Sequence, residues 1–153
     1  MTLLFSFAPF NNSTNVFMRH RMFQGLVTPI VSDQDKQDST FLFGDADWQL
    51  GNVVQLHAAI PALNNFVLRH SNSTFVLEAF SDQLHDAASF TLVGGLVNPN
   101  VGISKGGLVS FQSFDVPDSF IMQRESALVL ERPDDFGAQE AATWFVTAPN
   151  AFG

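Results

Sequence analysis

Apolar and polar residues alternate in short runs, and the same order of runs comes round three times. Leu3, Phe5 and Phe7 alternate with Leu4, Ser6 and Ala8, a period-two pattern that predicts a strand buried mainly on one face. Pro9 and the polar run Asn11 to Asn15 predict a loop. A second strand carries Val16 to His20, Gly25 is expected to break it, and Leu26 to Ile30 makes a third. Ser32 to Asp38 reads as a polar loop, Thr40 to Phe43 as a fourth strand, and Gly44 to Asp47 as a turn.

Each run has partners further on. Leu4-Phe5-Ser6-Phe7 matches Val53-Val54-Gln55-Leu56 and Leu108-Val109-Ser110-Phe111. Leu26-Val27-Thr28-Pro29 matches Phe75-Val76-Leu77-Glu78 and Leu128-Val129-Leu130-Glu131. Thr40-Phe41-Leu42-Phe43 matches Ser89-Phe90-Thr91-Leu92 and Thr143-Trp144-Phe145-Val146. Between them, Val16 to Met22 matches Phe66 to Asn72 and Phe120 to Ser126. Placing His20 over His70 gives a separation of 50, and placing Arg124 over His70 gives 54. Such a period means one small unit used three times, over about 2–48, 49–97 and 106–148. Ser81 to Ala88 has room for a single helical turn, and the Gly/Pro-rich connector Gly94 to Gly107 explains the longer second separation.

Four short strands in each of three units predict an all-β, closed architecture. That is the pattern of a β-trefoil, with six strands in a barrel and six capping one end. One unit cannot bury its own apolar face, so residues 1–153 are expected to form one domain.

Composition narrows the functions. Seven basic against fifteen acidic residues give a net charge of −8, which disfavours nucleic acid and anionic membranes as partners. With no cysteine there is no disulfide and no thiolate metal site or nucleophile, which fits a reducing compartment. Seventeen Phe and no Tyr favour a core that needs no hydroxyl partners. The first residues read as a strand and not as a signal peptide, and no apolar run approaches the roughly 18 residues of a membrane span. Asn12-Ser13-Thr14 and Asn72-Ser73-Thr74 match the glycosylation sequon. No nucleophile elbow, zinc-protease, P-loop or dinucleotide motif occurs, so neither an enzyme nor a cofactor is expected.

Phe17 to Phe23 followed by Asp38-Ser39-Thr40-Phe41 resembles the repeat of the arabinose-binding domain of arabinofuranosidase B. Phe66 to Asn72 with Asp86 to Phe90 and Gly94-Gly95-Leu96 resembles it again, as does Val109 to Phe114 leading to Pro117 and Phe120-Ile121. That family is a β-trefoil carbohydrate-binding module. The resemblance implies shallow pockets in which a His and an Asp hydrogen-bond sugar hydroxyls and an aromatic face stacks on the ring.

Carried over residue by residue, it implies His20 with Asp38 in the first unit and His70 with Asp86 in the second. Asp38 stands three before Phe41, but Asp86 stands four before Phe90, with Ala87 at the expected place. In the third unit Arg124 replaces the His and Ala141 the Asp, so that pocket is expected to be disabled. The residue after the His, often aromatic in the family, is Arg21, Ser71 or Glu125 here.

The residues alone leave an architectural role open. Arg19 and Arg69 are placed to pair with these carboxylates, Trp144 aligns with Phe41 and Phe90 as core, and His57 and His85 have no counterparts. The two functional expectations are a non-catalytic, lectin-like binder of arabinofuranose or a similar small sugar, and a protein-interaction trefoil with decayed pockets.

Overall fold

A computed structural model describes residues 2–12, 14–44, 47–98 and 107–153. Among them are thirteen strands: β1 (Thr2–Pro9), β2 (Val16–Arg21), β3 (Gln24–Pro29), β4 (Phe41–Gly44), β5 (Val53–Val54), β6 (His57–Ala58), β7 (Phe66–Ser71), β8 (Thr74–Ala79), β9 (Phe90–Gly94), β10 (Leu108–Ser113), β11 (Phe120–Arg124), β12 (Ala127–Glu131) and β13 (Trp144–Thr147). Two short helices, α1 (Asp33–Asp38) and α2 (Phe136–Ala141), complete the regular structure, with 3₁₀ turns such as Pro61–Leu63 and Asp82–Leu84. The sheet is antiparallel throughout and the chain is all-β, as the alternation predicts. The connector's middle, Ser13 of the first sequon, and Asp45-Ala46 of the first inter-unit turn lie outside the described residues.

One run of strand pairs begins at β5 and ends at β6, which follow one another in the chain. β1 pairs with β4 and β13, β13 with β10, β10 with β9, β9 with β5, and β6 returns to β4. β5 and β6 are one expected strand, Val53 to Leu56, moved and split in two. The interior is filled by the apolar side of the alternation: Phe7, Phe41, Phe90, Phe111 and Trp144 are fully buried. Phe7 meets Phe111 edge to face at 5.2 Å, and each such ring contributes about 1.5–3 kcal/mol by leaving water.

The remaining strands form three hairpins, β2–β3, β7–β8 and β11–β12. Their second strands touch one another, β3 with β8, β12 with β3, and β12 with β8. Gly25, Phe75 and Leu128 meet there. A Cβ on Gly25 would lie 2.7 Å from the Cβ of Phe75 and 3.0 Å from Leu128 Cδ1. Gly25 therefore serves close packing inside β3 and is not the break expected of it.

The hairpin turns lie elsewhere. Met22-Phe23 turns the first with φ of 51° and 64°, and Asn72-Ser73 turns the second with 53° and 66°. Two positive φ values suit the right-handed twist of a tight hairpin, although Met and Phe reach them at a steric cost.

Candidate functional site

The site expected at His20 and Asp38 is built from one hairpin and one helix. Ser32 to Asp38, expected to be a loop, winds into α1. The Ser32 Oγ accepts from Asp35 N at 3.0 Å, and the Asp35 carboxylate accepts from Ser32 N at 3.1 Å, a reciprocal cap that starts the helix. Asp38 is the last residue of that helix, and it is carried inward beside β2. Arg19 then clamps both acids, at 2.7 Å to Asp35 and 2.8 Å to Asp38. Gln34 Nε2 donates to the second oxygen of Asp38 at 2.7 Å. The architectural pairing open in the sequence is thus real in the first unit.

His20 stands next to this cluster. Its Nδ1 is 4.0 Å from Asp38 Oδ1, and its ring meets Phe41 edge-on at 6.4 Å. The residue is 4% exposed, and Nε2 has no hydrogen-bond partner. Burial pushes its pKa below the ordinary 6.5, Asp38 opposes that, and Arg19 adds to it, so the ring is neutral at pH 7. Asp35, held by the backbone N–H groups of Val31 and Ser32 and then by Arg19, lies well below the usual carboxylate range. A cavity of about 170 Å³ opens at this point, lined by His20, Asp38 and Gln34 on the polar side and by Met22, Phe23 and Leu63 on the other.

The second unit is assembled differently. His70 Nε2 lies 2.8 Å from Asp115 Oδ1, a residue of the loop after β10. Ser113 Oγ donates to the same oxygen at 2.9 Å, and Val116 N donates to Ser113 Oγ at 3.1 Å, so the loop is braced where it reaches His70. Ala87 occupies the expected Asp position, and its carbonyl accepts from His70 N at 3.2 Å. Asp86 is engaged by its neighbour His85 at 3.0 Å with its side chain 68% exposed. The carboxylate beside His70 is therefore Asp115 and not Asp86. Likewise Arg69 pairs with Glu78, at 3.1 Å. Asp115 gives no signal in the sequence, because it comes from a different unit and lies in a loop without periodicity.

In the third hairpin the register corrects the sequence alignment by one residue. His20 pairs across its hairpin with Gly25, His70 with Phe75, and Gln123 with Leu128. Gln123, and not Arg124, stands where the two histidines stand. Arg124 is one step further, equivalent to Arg21 and Ser71, and bonds Glu131. Ala141 closes α2 as Asp38 closes α1, as the spacing before Trp144 implies. A cavity of about 440 Å³ lies here, with Met122, Ala138 and Ala141 at its apolar side and Gln123, Arg124, Glu125 and Asp135 among its polar lining.

Known proteins share this fold. Residues 58–151 match the alpha-L-arabinofuranosidase B (ABFB) domain. No curated protein matches the chain in sequence. Among solved structures, a GH54 a-l-arabinofuranosidase soaked with a cyclic sulfate inhibitor superposes with a TM-score of 0.75 at 15% identity, over 97% of this chain and 31% of that one. An arabinofuranosidase complexed with arabinofuranosyl-alpha-1,2-xylobiose gives 0.72 at 16%, with the same coverage of 97% and 31%. SeviL bound to asialo-GM1 saccharide gives 0.63 at 11%, over 97% of this chain and 98% of that one. At such identities these likenesses speak for the fold. The chain spans about 31% of the length of the two arabinofuranosidases. The family match covers well over half of its residues, so the chain belongs to the alpha-L-arabinofuranosidase B (ABFB) domain family.

Proposed function

We propose that the chain is a non-catalytic carbohydrate-binding module, a single β-trefoil over residues 1–153, whose first pocket holds arabinofuranose or a similar small sugar between His20 and Asp38. The run of paired strands from β5 round to β6, the three hairpins and the meeting of Gly25, Phe75 and Leu128 at one point support the trefoil reading. The family supports the sugar.

The observation that carries the binding mode is the unpartnered Nε2 of His20 in a residue that lines a cavity beside a fixed carboxylate. A buried polar atom left unbonded costs about 1–3 kcal/mol, which a ligand hydroxyl recovers once a neighbouring side chain shifts to admit it. Asp38 keeps lone pairs beyond those taken by Arg19 and Gln34, and Phe23 supplies an aromatic wall where Arg21 does not. Both acids of this cluster are held by Arg19, an arrangement suited to accepting hydroxyl protons and not to transferring them. His70 with Asp115 forms the second site, and Asp86, turned to His85, stands outside it. Each site is small and individually weak, and two on one chain compensate by avidity.

One observation favours the protein-interaction reading. Met22 and Phe23 are 86% and 55% exposed at the tip of the first hairpin, an apolar point suited to a partner surface.

Affinity electrophoresis in gels containing arabinoxylan, or the same xylan stripped of arabinose, separates the two. The sugar reading expects retardation by the branched polymer alone, lost in His20→Gln at unchanged melting temperature. Equal mobility in both gels, with a partner captured by the native chain and released by Met22→Ser/Phe23→Ser, supports the other.

A further inference from the structure

The third hairpin carries the same framework as the first with a different interior. α2 follows β11–β12 as α1 follows β2–β3, and the equivalences run at a constant separation of 103 residues, from Arg19 to Met122, Asp35 to Ala138 and Asp38 to Ala141. Where the first hairpin holds a buried arginine clamped by two carboxylates, the third holds a thioether and two methyl groups. Met122 and Ala141 are buried in one apolar cluster, with Ala138 packed against it. The cavity at the third hairpin is about 440 Å³, against about 170 Å³ at the first. That size falls within the roughly 300–1,000 Å³ of small-molecule clefts.

Its lining divides by chemistry. One side is Met122, Ala138 and Ala141; the other is Gln123, Arg124, Glu125 and Asp135. Two carboxylates against one guanidinium, itself bonded to Glu131, leave the rim net negative, so an anionic ligand is repelled. A neutral polyol finds donors and acceptors around the rim, while the apolar side has no polar group to offer it. Such a floor gains from a methyl-terminated group leaving water, by about 0.8 kcal/mol for each buried carbon.

We propose that this third cavity is a binding site for a neutral sugar bearing a methyl-terminated substituent, an ester or ether, with the substituent on Met122, Ala138 and Ala141 and the ring hydroxyls on Gln123 and Arg124. The proposal rests on the reading of the chain as a sugar binder but not on the His20 pocket. Arg124 and Gln123 thereby acquire a binding role in a unit that lacks both the His and the Asp of the family pattern.

An amide NMR titration tests it, with O-acetylated xylobiose as probe and the same disaccharide after deacetylation as control. The expected result is saturable shifts at Gln123, Glu125 and Ala138, at least fivefold tighter for the acetylated probe. Ala138→Leu, which fills the cavity, weakens binding at least tenfold, and Arg124→Gln at the exposed rim weakens it without altering the melting temperature. No shift at those amides, or equal affinity for the two probes, overturns the proposal. A parallel titration with an arabinofuranosyl-xylo-oligosaccharide reads the His20 and Gln34 amides, so a failure there is a failure of the first pocket alone.

Discussion

Arg19 and Asp38 meet at 2.8 Å with both side chains more than nine-tenths buried, and the equivalent place in the third unit is filled by Met122 and Ala141. The molecule thus contains an ionic and an apolar solution to one packing problem. Arg19→Met alone strands two carboxylates and is expected to cost about 3–5 kcal/mol. Arg19→Met with Asp35→Ala and Asp38→Ala should recover most of that loss. About 1 kcal/mol should remain missing, because Asp35 also caps α1. Urea unfolding of the single and triple variants measures both, and a triple variant less stable than the single one would contradict the account.

Stability should depend on pH through His20. Burial holds its pKa below 6.5 in the folded chain, so the unfolded chain binds this proton more readily. The contribution is complete above about 6.5 and is lost as pH falls toward the folded-state value. Asp35 acts in the same direction further down, its stabilisation standing above 3.8 and draining away below it. Melting temperatures between roughly pH 5 and 7 should fall more steeply for the native chain than for His20→Gln. Equal slopes would mean that His20 is not held neutral by burial.

Gly25 is predicted to tolerate no side chain. With a Cβ only 2.7 Å from that of Phe75, Gly25→Ala forces two strands apart at the junction of the three hairpins. The expected loss is about 1–3 kcal/mol, read from the shift in denaturation midpoint. Full stability in Gly25→Ala would contradict the packing described.

For the second pocket the prediction is a choice between two acids. Asp115→Ala should remove one of two binding events in calorimetry with an arabinofuranosyl oligosaccharide, because it takes away the carboxylate 2.8 Å from His70. Asp86→Ala, whose carboxylate is exposed and turned to His85, should change that affinity by less than about twofold. The reverse pattern would restore Asp86 to the role its spacing suggests.

The strands are legible because a period of two needs only burial on one face, and Leu3 to Phe7 states that in any context. α1 is not, although Ser32 and Asp35 spell its cap, because six polar residues without an apolar stripe read as loop. The turn at Met22-Phe23 carries no Gly, Asn or Asp to announce a positive φ, and so Gly25 draws attention that belongs to packing. The one-residue slip at Gln123 comes from matching a basic residue to a basic residue, where the hairpin register decides. Asp115 leaves no trace at all, since contacts between units put no mark on a repeat. The spacing suffices to bring His20 and Asp38 together, but the share of Arg19 and Gln34 in fixing Asp38 needs coordinates.

The most direct test watches the His20 imidazole itself, through long-range proton–nitrogen NMR correlations, while an arabinofuranosyl-xylo-oligosaccharide is titrated in. A sugar hydroxyl arriving at Nε2 should move that nitrogen in step with the Gln34 amide, along one saturating curve. An Nε2 signal that stays fixed while the sugar binds elsewhere, or does not bind, would contradict the assignment of this pocket.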